Sequence, residues 1–296
     1  MADLRRARSK SRTQLCALEG VEMMDSNALY NLLQQTSVHC PRLSDPNFLL
    51  LYDARQKEQY EQSHILTARL LKKKEDGEFA VPYEAELECK ENIVVYDGKT
   101  KDLRDTEGGY EEFSRLYTFL RSEKVIFMPR ELDELKPYPY EIIQSLLYVG
   151  NWEQGTTPYI LKDLHIEAFV CITEDKTFGR KKPETNFYRI YMPDSNDAQI
   201  AKHFPRICDF LDTRIGKKAE PKQPVLVFDK VGFSLSGTIV MAYLMNARKA
   251  DVDSAWKMVK KHLPTFRPNR GFVEQLSVWE ITVCGATATD IGDPRF

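Results

Sequence analysis

The stretch Pro224 to Tyr243, PVLVFDKVGFSLSGTIVMAY, constrains this chain more than any other. It reads as an apolar strand, a short Gly/Ser loop, and an apolar helix whose first turn carries Ser236. Strand, tight loop and helix N-terminus together make an anion cradle, because successive backbone N–H groups and the positive end of the helix dipole converge on one point. The backbone pattern points to phosphate. The side chains do not follow it. A loop that handles phosphate covalently needs a thiolate and an arginine, and this loop offers Phe228, Asp229 and Leu235 instead.

The 296 residues, 42% hydrophobic and 29% charged, are enough for two domains of about 100–150 residues each, with a sizeable core. Lys and Arg (42) nearly balance Asp and Glu (44) for a formal charge of −2. That leaves no global basic footprint, so direct nucleic-acid binding is not expected. No apolar run approaches the roughly 18–20 residues that span a bilayer, and no signal-peptide core follows the first residues. The cysteines Cys16, Cys40, Cys89, Cys171, Cys208 and Cys284 form no CxxC pair and have no His at ligand spacing. Neither a zinc site nor a disulfide framework is indicated, and no metal or cofactor is expected. Reduced, mostly buried thiols in an intracellular compartment are the expectation. The opening MADLRRARSKSR holds Arg5, Arg6, Arg8, Lys10 and Arg12 against Asp3. This composition fits a mitochondrial presequence or a solvated basic tail, so the expected location is cytoplasmic with mitochondrial targeting as the alternative.

Along the chain the pattern is α/β. SNALYNLLQQ predicts a helix capped by Ser26. NFLLLYDAR (Asn47–Arg55) predicts a buried parallel strand, and IVVYDGKT (Ile93–Thr100) repeats the strand-then-loop signature. KEQYEQ and EEFSRLYTFLR (Glu111–Arg121) read as helices, SHILTA as a turn, RLLKKKED as a basic run, and KVIFM as a further strand. Alternating strands and helices imply a parallel sheet with helices on both faces. Lys136-Pro-Tyr-Pro-Tyr140 is the candidate linker, since paired prolines cannot sit inside a helix or central strand. Beyond it, LLYVGN, TPYILKDL, IEAFVCIT, NFYRIYMP, HFPRICDFLDTRIG, the opening loop and helix, SAWKMVKKHL and GFVEQLSVWEITV continue the alternation.

These residues carry a resemblance. LLLYDAR, SHILTA, the basic run and IVVYD resemble the rhodanese domain that precedes the catalytic domain in MAP-kinase phosphatases. LLYVGN, YMPDS, the strand-loop-helix and PNRGFVEQL resemble, in order, the dual-specificity phosphatase domain. Together they cover residues from about 25 to 285, and the pairing resembles the STYX-type pseudophosphatases of the MAP-kinase-phosphatase family. The implied organisation is a basic tail (1–24), an inactive rhodanese-like domain (25–132), a Pro-rich linker (133–140) and an inactive dual-specificity-phosphatase-like domain (141–296). The implied fold class is α/β: a rhodanese-like parallel sheet followed by a cysteine-phosphatase-type fold.

The resemblance carries over residue by residue. Against the family loop His-Cys-x-x-Gly-x-Ser-Arg-Ser/Thr, Gly232, Ser234 and Ser236 are phosphate-loop remnants, while Phe228, Asp229 and Leu235 replace the three chemical residues. The general-acid position is retained as Asp194. In the rhodanese half the catalytic Cys position falls on Asp97, and sulfur transfer needs a thiolate to hold the persulfide. The family's kinase-docking patch falls near Arg69, Lys72, Lys73 and Lys74, beside Leu70 and Leu71. Either this run docks a kinase, or it is a solvated charge run partly neutralised by Glu75 and Asp76.

The chemistry explains why the loop is expected to be inactive. A cysteine there becomes a thiolate because amides and a helix N-terminus depress its pKa. Aspartyl-phosphate chemistry needs Mg²⁺ and a second carboxylate two residues on, where Val231 stands. Leu235 cannot make the paired charge-assisted bonds of an arginine. A carboxylate about 4 Å from a phosphate dianion adds roughly 4 kcal/mol of repulsion per unit charge at an effective dielectric near 20. For a dianion that is up to about 8 kcal/mol; against loop hydrogen bonds worth about 1.5–3 kcal/mol each, this repulsion together with the missing arginine is expected to win. The Asp229 side chain either takes the orphan loop amides itself or points to solvent while water takes them. Asp194 reads equally as a turn former; Trp256 and Trp279 read as core, His64 as structural and His203 as surface. The expected activity is none, and the expected partners are proteins: active phosphatases, MAP kinases or their substrates. A MAP-kinase anchor and a weak phosphatase with an unconventional nucleophile are the alternatives.

Overall fold

The computed structural model of the chain describes residues 22–37, 40–75, 77–80, 87–99, 109–126, 128–175 and 184–293. The Arg-rich opening, Cys16 and Asp76 lie outside the described residues. Helix α1 (Ser26–Leu33) is capped by Asp25, whose extended backbone lets its side chain accept from Ala28 N at 2.7 Å. The expected cap, Ser26, is already helical and donates instead to Glu112 Oε2 at 3.1 Å. Strand β1 (Leu49–Asp53), α2 (Lys57–Gln62), β2 (His64–Ile65), β3 (Arg69–Leu70), β4 (Asn92–Tyr96) and α3 (Gly109–Leu116) follow. The next elements are β5 (Arg121–Ser122) and α4 (Pro129–Asp133). Strand β1 pairs in parallel with both β3 and β4, giving the order β3-β1-β4. Strands β2 and β5 form a short antiparallel ribbon.

The segment expected as the strand KVIFM is not one over its described residues. Ser122 Oγ accepts from Lys124 N at 2.9 Å and donates to Lys124 O at 2.7 Å, a side-chain turn that ends β5 before Val125. Tyr30, Phe48, Leu51, Ile65, Phe113 and Tyr117 form the core of this half.

The second half holds β6 (Tyr140–Ile143), β7 (Leu147–Asn151), α5 (Trp152–Thr156), α6 (Pro158–Asp163), β8 (Ala168–Thr173) and β9 (Phe187–Tyr191). After these come α7 (Phe204–Ile215), β10 (Val225–Asp229), α8 (Leu235–Arg248), α9 (Val252–His262) and α10 (Arg270–Cys284). The sheet order is β6-β7-β10-β8-β9, with every pairing parallel except β6 to β7. Tyr140, counted with the Pro-rich segment, is the first residue of β6 and sits opposite Val149.

Central strand β10 is buried throughout, and its side chains alternate between two cores as strand geometry requires. Val225 and Val227 join the larger cluster with residues of α7 to α10, whereas Leu226 and Phe228 join the smaller one with Ile160 and Leu164 of the α6 region. Helix α8 is buried continuously from Leu235 to Met245, so it is the central helix of this layer rather than an amphipathic cover. Among the described cysteines, Cys171 and Cys208 are buried as expected, whereas Cys40, Cys89 and Cys284 are exposed.

A candidate anion cradle filled by its own carboxylate

Strand β10 ends at Asp229 and helix α8 starts at Leu235, so the connecting loop must turn within five residues. Gly232 makes the turn with φ of +88°, and a Cβ there would lie 2.9 Å from the Gly150 carbonyl carbon and oxygen. Both facts demand glycine. The turn aims the loop amides inward, and their acceptor is Asp229. Its Oδ1 accepts from Val231 N at 2.7 Å and from Gly232 N, and its Oδ2 accepts from Ser236 N at 2.7 Å. The side chain is only 3% exposed. Of the two orientations the sequence leaves open, the inward one is realised, with the carboxylate at the positive end of α8.

The other two substituted positions are built into the cores. Phe228, fully buried, lies 6.2 Å from the Trp152 ring and 6.5 Å from the Phe169 ring. A Cβ at residue 155 would come within 2.5 Å of the Phe228 ring, so Gly155 makes room for it. Leu235 is 4% exposed and belongs to the large aliphatic cluster. An arginine at that position would have to bring a guanidinium to the cradle; the leucine contributes its side chain to the core.

Asp194 lies at the loop. Its Oδ1 accepts from Ser234 Oγ at 3.1 Å and from Asn269 Nδ2. Partial burial raises its pKa above the usual carboxylate value, the bond from Ser234 opposes this, and the charge of Asp229 adds to it. Asn269 was not singled out from the sequence, although PNRGFVEQL carried the signal; it precedes α10, and its side chain ties that helix to the Asp194 turn. Ser236 Oγ is buried without a hydrogen-bond partner. Two cavities among the described residues, of about 480 Å³ beside Asp209 and Asp212 and about 210 Å³ between Leu33 and Tyr138, include no cradle residue.

The remaining candidates sit elsewhere. Asp97 follows β4, exposed, with its carbonyl accepting from Tyr110 N at 2.8 Å. Arg69 lies on β3, and Lys72, Lys73 and Lys74 on an adjoining hairpin closed by Lys74 N to Glu78 O and Ala80 N to Lys72 O. All four cations are exposed, and Lys73 Nζ stands 5.1 Å from the Phe79 ring centre. His64 is buried, stacked on Tyr60 at 4.1 Å, and its ring nitrogens face the carbonyls of Tyr60 and Lys124. His203 is half-buried rather than on the open surface, and burial lowers its pKa, with Arg206 and Lys202 adding to the effect. Trp256 is core; Trp279 is half-buried and donates to Ala242 O at 3.2 Å.

A five-stranded sheet flanked by helices, with a Gly-turned amide loop leading into its central helix, defines the class of the second half. The chain belongs to the dual-specificity phosphatase family: the model of the family's catalytic domain matches residues 147–282. A probable dual specificity protein phosphatase of Dictyostelium discoideum is 30% identical over 163 residues, covering 52% of this chain and 69% of that protein. Tyrosine-protein phosphatase vhp-1 of Caenorhabditis elegans is 25% identical over 283 residues, covering 87% of this chain and 38% of the relative. The chain thus spans about two fifths (38% and 41%) of the curated relatives that match it along most of its length. Among solved structures, the human tyrosine phosphatase-like serine/threonine/tyrosine-interacting protein aligns with a TM-score of 0.43 and 23% identity, over 49% of this chain and 97% of that one.

Proposed function

We propose that this chain is a catalytically inactive member of its family, a STYX-type pseudophosphatase that serves as a regulatory binding protein or scaffold in phosphorylation signalling. The observation that carries the reading is the Asp229 carboxylate on the amides of Val231, Gly232 and Ser236. A phosphoryl group would have to enter the position that the carboxylate already holds, against its charge and without a guanidinium to pull it in. A protein that lacked only the nucleophile could still trap a phosphorylated partner; with Leu235 in the core as well, the working parts become the surfaces of the two halves. Their partners are proteins, either active phosphatases or kinase-pathway components. The 87% coverage by vhp-1 reaches well beyond residues 147–282 and supports reading both halves as one family architecture. Its first half is then an inactive rhodanese-like domain, with Asp97 where a persulfide-forming thiol would stand.

The test is hydrolysis of a generic aryl phosphate, with tungstate binding measured in parallel. Neither is expected above background for the native chain. Turnover that disappears in Asp229→Asn would overturn the reading and assign a phosphatase with an unconventional nucleophile. The exposed cluster of Arg69, Lys72, Lys73 and Lys74 supports a second reading, a MAP-kinase anchor. Binding of a purified MAP kinase that is lost when the three lysines become Glu would favour it.

A further inference from the structure

The two halves meet along a buried seam centred on a carboxylate. Glu141, in β6, is fully buried. Its Oε1 accepts from Tyr148 OH at 3.0 Å and Ser145 N at 2.7 Å, both in its own half. Its Oε2 accepts from Asn27 Nδ2 at 2.5 Å and from Tyr117 OH, both in the N-terminal half. Asn31 pairs with the backbone of the same residue: its Oδ1 accepts from Glu141 N at 2.8 Å and its Nδ2 donates to Glu141 O at 2.8 Å. A side-chain amide of α1 thereby occupies the open edge of β6, the place another strand would take. Around this centre Tyr30 OH donates to Pro139 O at 2.8 Å and Tyr138 N donates to Gln34 Oε1 at 2.7 Å. Tyr30 stacks on Tyr117 at 4.5 Å and Phe119 on Tyr138 at 4.3 Å.

We propose that Glu141 is a latch that holds the N-terminal half in one orientation on the phosphatase-like half, so that both halves present their surfaces to partners as one body. Every donor to its carboxylate is uncharged. Burying a carboxylate without a cation is costly even after relaxation, and here that cost is offset only when donors from both halves converge. If the halves part, Oε1 keeps Tyr148 and Ser145 and water takes the place of the lost donors on Oε2. The closed seam is therefore a small difference between large terms, and it is reversible. Its specificity comes from geometry: rotation of the N-terminal half breaks the bonds of Asn27, Asn31 and Tyr117 together. In the open form the β6 edge becomes accessible, and the segment between Glu134 and Pro139, whose Glu134 and Lys136 are already exposed, is released at Tyr138 and Pro139.

The full chain carrying Asn27→Ala and Tyr117→Phe tests this, because both donors from the N-terminal half are lost while Tyr148 and Ser145 stay. Protease cleavage between Glu134 and Pro139 is expected to accelerate at least ten-fold, hydrogen exchange at the Glu141 amide to speed up, and thermal unfolding to split into two transitions. Native cleavage and exchange rates in a folded double variant would overturn the latch. Should the double variant fail to fold, Tyr117→Phe alone keeps the ring stack and removes one donor. It is expected to raise both rates by a smaller factor, and unchanged rates there would equally overturn the proposal.

Discussion

The amides of Val231, Gly232 and Ser236 need an acceptor whether or not a phosphate is present, and Asp229 supplies one with both oxygens. Asp229→Ala leaves three inward-facing donors to water at a nearly closed site. With about 1–3 kcal/mol for each unsatisfied donor and partial recovery by water, the expected loss is about 2–4 kcal/mol. For a chain of 296 residues that lowers Tm by roughly 3–6 °C, readable by calorimetry, with no phosphatase activity gained. An unchanged Tm would mean that the carboxylate does not hold the loop. The sequence showed that an acceptor stood in the right place; it could not show which way the carboxylate turned, because that depends on the depth of the turn at Gly232. Nor did it show that Phe228 and Leu235 had become core residues. Both belong to clusters assembled from distant segments, which no local pattern reports. The combined reversion Phe228→His, Asp229→Cys and Leu235→Arg therefore places two polar groups at buried positions and also removes the internal acceptor. It is expected to destabilise by about 3–5 kcal/mol and to show no aryl-phosphate hydrolysis above background. Turnover would reveal that an arginine at 235 can swing out of the core and reach the cradle.

At the level of elements, β10, α8 and the strands around them were legible because a parallel sheet writes itself as continuous apolar runs. The shorter pieces were not. Asp25 displaced Ser26 as the cap of α1, and the turn at Ser122 ended β5 before KVIFM could extend it, since such choices rest on single hydrogen bonds. The turn bearing Asp194 shows a similar dependence, being tied to α8 through Ser234 and to α10 through Asn269. The raised pKa of Asp194 means that the folded state binds its proton more tightly than the unfolded state. Its favourable contribution is present at acid pH and is lost as pH rises through the folded value. Asp194→Asn keeps an acceptor oxygen for both donors and removes the charge beside Asp229. It should raise Tm at neutral pH and lose that advantage near pH 3. The gain is expected to be a few tenths of a kcal/mol, because the carboxylate is still partly in water. A lower Tm at neutral pH would show that the ionised form is the one the turn requires.

For the molecule as a whole, the way the separate sheets are joined could not be read from the sequence. Asn27, Asn31 and Glu141 are polar residues in segments whose patterns predict only helix and strand, and their partners lie more than a hundred residues away. The seam extends from Glu141 to α9, and this extension gives it a pH dependence. Asn31 Oδ1 is committed to Glu141 N, so the Nδ2 that stands 3.2 Å from His262 Nδ1 is a donor there. His262 must then be neutral, with its proton on Nε2. Its pKa is lowered by burial first and by Lys261 and Arg248 next, against the opposing charge of Asp25. The folded state therefore binds fewer protons at this site than the unfolded chain. The stabilisation is complete above about pH 6.5, the ordinary histidine value, and is lost as pH falls through the lowered one. One titrating site limits the slope to about 1.4 kcal/mol per pH unit. In His262→Gln, an amide oxygen can accept from Asn31 without titrating, so Tm between pH 7 and pH 5 should decline less steeply than in the native chain. Protection of the segment between Glu134 and Pro139 from proteolysis should follow the same curve. If both proteins decline in parallel, the acid sensitivity lies outside α9, and His262 is a bystander to the seam.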